Sequence, residues 1–171
     1  MDGLVNLSLI FLAMKLSEHL ELSEVIRSES AKRLGIKNMP TDEHINNFKK
    51  LAEHIFEPIR ANFRCPIRIS SGYRSKALNS AIGGSITSQH CLGEAIDIDM
   101  DGTGQGVTNK MIFDYIKNNL NFDQVIYEFG NNENPDWVHV SYKPNGNQRK
   151  QVLVAKKLNG KTTYSNYDRK N

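Results

Sequence analysis

The sequence predicts an α+β fold, an antiparallel sheet with flanking helices, and three observations carry that expectation. Apolar residues recur at helical spacing through the first part of the chain. From residue 65 onward the texture changes to short alternating runs separated by glycine turns. Those runs succeed one another mostly at hairpin spacing, with no regular alternation of strand and long helix. A chain of 171 residues, 24% charged and 39% hydrophobic, can bury one core without disulfide staples.

Residues 1–15, "MDGLVNLSLIFLAMK", form an apolar extension read as a short docking helix. The apolar run falls short of the roughly 20 residues a membrane span needs. Asp2 stands where a secretory leader would carry a basic residue, so no span is expected and a signal-like reading stays only as the weaker alternative. A domain is expected over 16–158. It opens with "LSEHLELSEVIRSESAKRLG", a helical region in one or two pieces closing at Gly35. "MPTDEHINNFKKLAEHIFEPIRANF" is the clearest helix. Thr41 is its N-cap, Asp42 and Glu43 suit its dipole, and Ile45, Phe48, Leu51, Ile55 and Ile59 form one buried stripe. Pro58 should bend its last turn.

"PIRISS" is a strand running into "GYRS", and "KALNSAIGG" is a short helix closed by glycines. "EAIDIDM" alternates as a strand, "DGTGQG" is a loop, and "TNKMIFDYIKNNL" is a helix capped by Thr108. "DQVIYEF", "WVHVSY" and "KQVLVAKK" are three further strands. Residues 159–171 form a polar tail expected to fray.

Net charge is +3, with Lys and Arg scattered rather than clustered among aromatics, so no nucleic-acid partner is expected. Cys65 and Cys91 form no C-x-x-C pair. Reduced, buried thiols are the default, and the count also permits one disulfide.

The chemistry gathers in "SQHCLGEAIDIDMDG". Alternation puts Ala95, Asp97 and Asp99 on one strand face and the core residues Ile96 and Ile98 on the other. His90 lies upstream across Gly93, whose conformational freedom allows the imidazole to fold back beside the strand. Imidazole and carboxylate suit zinc, and a catalytic zinc needs three protein ligands. His19, His44, His54 and His139 are the remaining histidines. The first three fall on helices. His139 shares a strand face with Trp137 and Ser141, where a packed core imidazole and a ligand are both open readings. D-x-D-x-D-G from Asp97 begins like a calcium loop, but its twelfth position is Thr108, not Glu. "DGTGQG" lacks the Lys-Ser/Thr of a phosphate loop, and "HIFEP" is not a zincin helix.

Taken together, "S-x-H-x-x-G-x-A-x-D" and the later "D-W-V-H-V-S" resemble the M15 metallopeptidases of the zinc D-Ala-D-Ala carboxypeptidase type. That family includes phage endolysins cutting L-alanyl-D-glutamate bonds. "SSGYRS" and the "N...GG...S-x-H" run extend the resemblance, which covers residues 16 to 155. It implies a hedgehog/DD-peptidase-like single domain with Zn2+ held by His90, Asp97 and His139. It implies Asp136 as general base, on a turn after Pro135 rather than in regular strand, and Arg74 as a group that holds a substrate carboxylate or the developing oxyanion. Ser88 could bind the substrate backbone; Glu128 is the rival base or a carboxylate orienting a ligand imidazole.

The implied activity is hydrolysis of amide bonds in peptidoglycan stem peptides, as carboxypeptidase or endopeptidase. With no recognisable leader and no wall-binding repeat, the expected source is a phage or prophage. Action is expected at the bacterial cell wall, from the host cytoplasm before lysis or from within a phage particle. The competing expectation is a zinc-stabilised virion module without turnover; a retained base favours the enzyme.

Overall fold

The computed structural model describes residues 13–167, so nearly all of the extension expected over 1–15 lies outside the described residues. The helical opening comes in two pieces. Helix α1, Leu22–Ile26, is closed at its start by reciprocal bonds between Glu21 and Glu24. Helix α2, Glu29–Leu34, starts at Ser28, whose hydroxyl accepts from the Ala31 N–H, and stops at Gly35 with φ 64°. Arg27 between them has extended backbone (φ −61°, ψ 130°), which breaks the run.

Helix α3, Asp42–Leu51, begins at the predicted cap Thr41. It passes through a π-helical turn, Ala52–Phe56, into α4, Glu57–Phe63. The wider turn precedes Pro58, whose missing N–H and bulky ring cannot continue a regular α ladder. The bend expected at Pro58 is thus absorbed one turn earlier, and the stripe from Ile45 to Ile59 stays buried. Each such side chain contributes about 1.5–3 kcal/mol on leaving water.

The sheet comprises β1 (Ile69–Ser71), β2 (Ala95–Ile98), β3 (Gln124–Glu128), β4 (Trp137–Ser141), β5 (Gln151–Leu158) and β6 (Lys161–Asn166), in the order β1-β2-β4-β3-β5-β6. Helix α5 (Lys76–Ala81) follows β1, and α6 (Asn109–Asn119), capped by Thr108, follows β2. One face carries Ile96, Ile98, Val125, Tyr127, Val138 and Val140, which merge with the α3, α4 and α6 stripes into the main core. The opposite face carries Asp97, His139 and Glu128 together with a small apolar cluster of Ile126, Leu153 and Ala155.

Two expectations need correction. Pairing is antiparallel as read, except that β5 runs parallel to β3. The chain leaves β4 and steps across the start of β3, so β5 enters alongside β3 without a crossover helix. The tail from residue 159 does not fray at once: β6 pairs with β5 through a two-residue turn at Asn159 (φ 51°) and Gly160 (φ 76°). Asn-Gly is the sequence that tolerates two successive left-handed residues, and this preference outweighs the polarity of residues 161–166. Cys65 and Cys91 are free, buried thiols. Among the described residues no helix is long and apolar enough to cross a membrane.

Candidate metal centre

Strand parity builds the site. Ile96 and Ile98 point into the core at 0% exposure, which turns Asp97 to the other face of β2. Val138 and Val140 do the same for His139 on β4. The register pairs Asp97 directly with His139, so the two side chains stand abreast. His90 arrives from outside the sheet, on a 3-10 turn at Gln89–Leu92 closed by Gly93 at φ 70°. A Cβ on Gly93 would lie 2.5 Å from the His44 carbonyl oxygen, and the Asn47 side-chain amide donates to the Leu92 carbonyl at 2.8 Å. Helix α3 therefore holds the turn against the sheet. The close path expected at Gly93 is present.

The three donors converge. His139 Nδ1 lies 3.0 Å from Asp97 Oδ1, His90 Nε2 lies 3.2 Å from the same oxygen, and the two imidazole nitrogens are 3.2 Å apart. His90 Nδ1 donates to the Gly72 carbonyl at 2.6 Å, which leaves Nε2 with its lone pair facing the cluster. All three residues are buried. Burial alone would raise the Asp97 carboxyl; without a cation, a proton taken up on His90 and the hydrogen bonds the protonated imidazoles then donate outweigh it and hold Asp97 well below the ordinary carboxylate range. The ligand atoms of the three residues all lie within 4.8 Å of one another, and two imidazoles with one carboxylate could hold a divalent transition ion.

The surroundings sort the other candidates. Arg74 Nη2 donates to Asp97 Oδ2 at 2.9 Å and its Nε to Ser71 Oγ at 3.2 Å, so this guanidinium fixes the second oxygen of a ligand carboxylate. Ser88, Arg74 and Glu128 line a cavity of about 940 Å³ that contains all three ligands. Glu128 stands on β3 opposite Trp137, on the ligand face, at 8% exposure. Its carboxylate takes no hydrogen bond from the described residues, and burial pushes it up to about 7 against a partial offset from His139.

Asp136 sits on the bend that its assignment as base required, but its side chain is exposed and does not line this cavity. Trp137 and His139 occupy the ligand face, so the residue before Trp137 is out of phase with them. Asp136 lines a neighbouring cavity of about 840 Å³. Of the two carboxylates, Glu128 lines the cavity that holds the cluster and Asp136 the neighbouring one. His19 bonds Glu57, His44 caps α3 through Thr41, and His54 stacks on Tyr142, so none joins the cluster.

A family model described as Peptidase M15 matches residues 18–141. The chain belongs to the peptidase M15 family. Membership makes it a metallopeptidase-family chain, and the matched span includes every residue of the cluster together with Arg74, Ser88 and Glu128. It ends with β4, so β5 and β6 lie beyond it. Among curated proteins, none matches the chain.

One supporting residue escaped the sequence reading. Asp123, at 0% exposure, accepts from the Arg149 backbone at 3.1 Å and from Gln89 Nε2 at 2.9 Å. It ties the turn bearing His90 to the head of β3. The only signal in the sequence was an aspartate before an apolar run with no helix after it to cap.

Proposed function

We propose that this M15 protein is a zinc-dependent peptidase hydrolysing amide bonds in the stem peptides of bacterial peptidoglycan. The convergence of His90, Asp97 and His139 beside a buried, donor-free Glu128 carries the reading. Zinc bound there would supply Lewis acidity for the scissile carbonyl and for a water molecule. His90 and His139 offer neutral nitrogens, and the Gly72 carbonyl fixes the His90 tautomer. Arg74 steadies the Asp97 carboxylate and, at the cavity wall, can balance charge on a substrate oxygen. Glu128, poised near neutrality, takes the proton of the attacking water and delivers it to the departing amine. Ser88 offers a hydroxyl to the substrate backbone.

Dye release from purified cell walls tests this. Glu128→Gln should lower the rate by about 10²–10⁴-fold while Asp136→Ala stays within a few-fold. His139→Ala, or a chelator, should remove both zinc and activity. Equal release by all samples would end the hydrolytic reading; loss with Asp136→Ala but not Glu128→Gln would return the base to Asp136. Mass spectrometry of the fragments separates loss of a terminal D-Ala from cleavage of L-Ala-D-Glu.

A further inference from the structure

The β5–β6 hairpin lies outside the residues that match the family, yet it forms a wall of the metal cavity through Leu153, Thr162 and Tyr164. Sheet register explains how. Trp137, Glu128, Ala155 and Tyr164 are successive partners across β4, β3, β5 and β6, so they form one row on the ligand face. Ala155 is fully buried, and it is Ile126 and Leu153 that reach the cavity wall between the cluster and Tyr164. The adjacent row runs from Asp97 through His139 and Ile126 to Leu153. Ile126, Leu153 and Ala155 make a small apolar cluster of their own, separate from the main core, with Phe129 packed against it. Tyr164, on the edge strand, is 56% exposed, so its ring is free to meet a ligand in the cavity it lines. Burial, and after it the Glu128 and Asp97 charges, raise its phenol above the ordinary value, which puts the hydroxyl within electrostatic reach of the site.

We infer that the hairpin completes a substrate subsite: Ile126 and Leu153, backed by the buried Ala155, form a floor for an aliphatic side chain of the peptide next to the bond cut, and Tyr164 forms the wall. The floor is continuous with the ligand row, so a peptide held at the metal must lay its neighbouring residue there. Tyr164 covers that side chain with its ring and offers its hydroxyl to a peptide carbonyl. The subsite rests on the peptidase reading and assigns the hairpin a part in specificity.

The zinc-loaded full chain tests it, with synthetic peptides ending in D-Ala-D-Ala or containing an L-Ala-D-Glu bond. Trp137, the one tryptophan, lines the same cavity, so its fluorescence reports binding independently of turnover. Tyr164→Ala should raise KM and the fluorescence Kd about tenfold, the scale of one lost aromatic contact, with kcat held within about twofold. Tyr164→Phe should keep most of the affinity. Zinc content and Tm should match the unmodified protein, because β6 is exposed along its whole length. Unchanged KM and Kd in Tyr164→Ala would overturn the subsite. A protein that binds but does not cut would sink the hydrolytic reading alone, and its Tyr164→Ala Kd would still decide the subsite. No fluorescence response from the unmodified protein to either peptide would overturn the subsite as well.

Discussion

Glu128 is costly to the fold in the absence of a cation. Its folded value of about 7 exceeds the ordinary 4.5 of the carboxyl, so the folded state binds the proton more tightly than the unfolded one. The penalty is absent below about pH 4, grows between the two values, and is complete above about pH 7. Glu128→Gln should therefore stabilise the metal-free protein by about 1–3 kcal/mol at pH 8 and by almost nothing at pH 4, read from urea unfolding at both. The same substitution should lower hydrolysis by about 10²–10⁴-fold, so stability and activity move in opposite directions. At this scale the clustering of His90, Asp97 and His139 was legible. Alternation around Ile96, Ile98, Val138 and Val140 fixes where Asp97 and His139 point. Which carboxylate lies beside them was not, because Glu128 comes opposite Trp137 through the β3–β4 register, a pairing that no local pattern displays.

Among the elements, the 3-10 turn at Gln89–Leu92 is the most exacting. Gly93 combines φ 70° with close approach to the His44 carbonyl. Gly93→Ala should cost about 1–3 kcal/mol in thermal unfolding and weaken zinc binding in a competition titration, since His90 moves with the turn. Comparable zinc affinity would show that the turn tolerates displacement without moving its ligand. Helix limits were readable because capping is local: Thr41 and Thr108 each accept from the N–H three residues on. The β6 strand was missed because "KTTYSN" buries nothing; all of its residues are exposed. Its signal was Asn159-Gly160, a turn pair whose backbone twist suits a hairpin whatever the polarity beyond.

For the molecule as a whole, Asp123 joins the turn bearing His90, the start of β3 and the segment stepping across it. Burial alone would raise its carboxyl, but hydrogen bonds from the Arg149 side chain and backbone and from Gln89 hold it below the ordinary value. A depressed carboxylate contributes stability that is present above its unfolded value near 4 and lost as pH falls. Asp123→Asn should lower Tm at pH 6 and flatten its decline toward pH 3, followed by circular dichroism. Zinc at about 100 times its Kd adds about 2.7 kcal/mol, so Tm should rise by roughly 5–10 °C and fall back with a chelator. The parallel β3–β5 pairing was not legible, because an alternating run reads the same in either direction.

Strand β4 comes late in the chain yet lies between β2 and β3, both of which precede it. The ligands it unites are 42 and 49 positions apart along the polypeptide. A nascent chain on the ribosome that has not yet released Trp137–Ser141 holds only one imidazole and one carboxylate of the set. Hydrolytic competence is thereby withheld from unfinished translation products, and the cation, once captured, fastens the middle of the sheet where no covalent cross-link does.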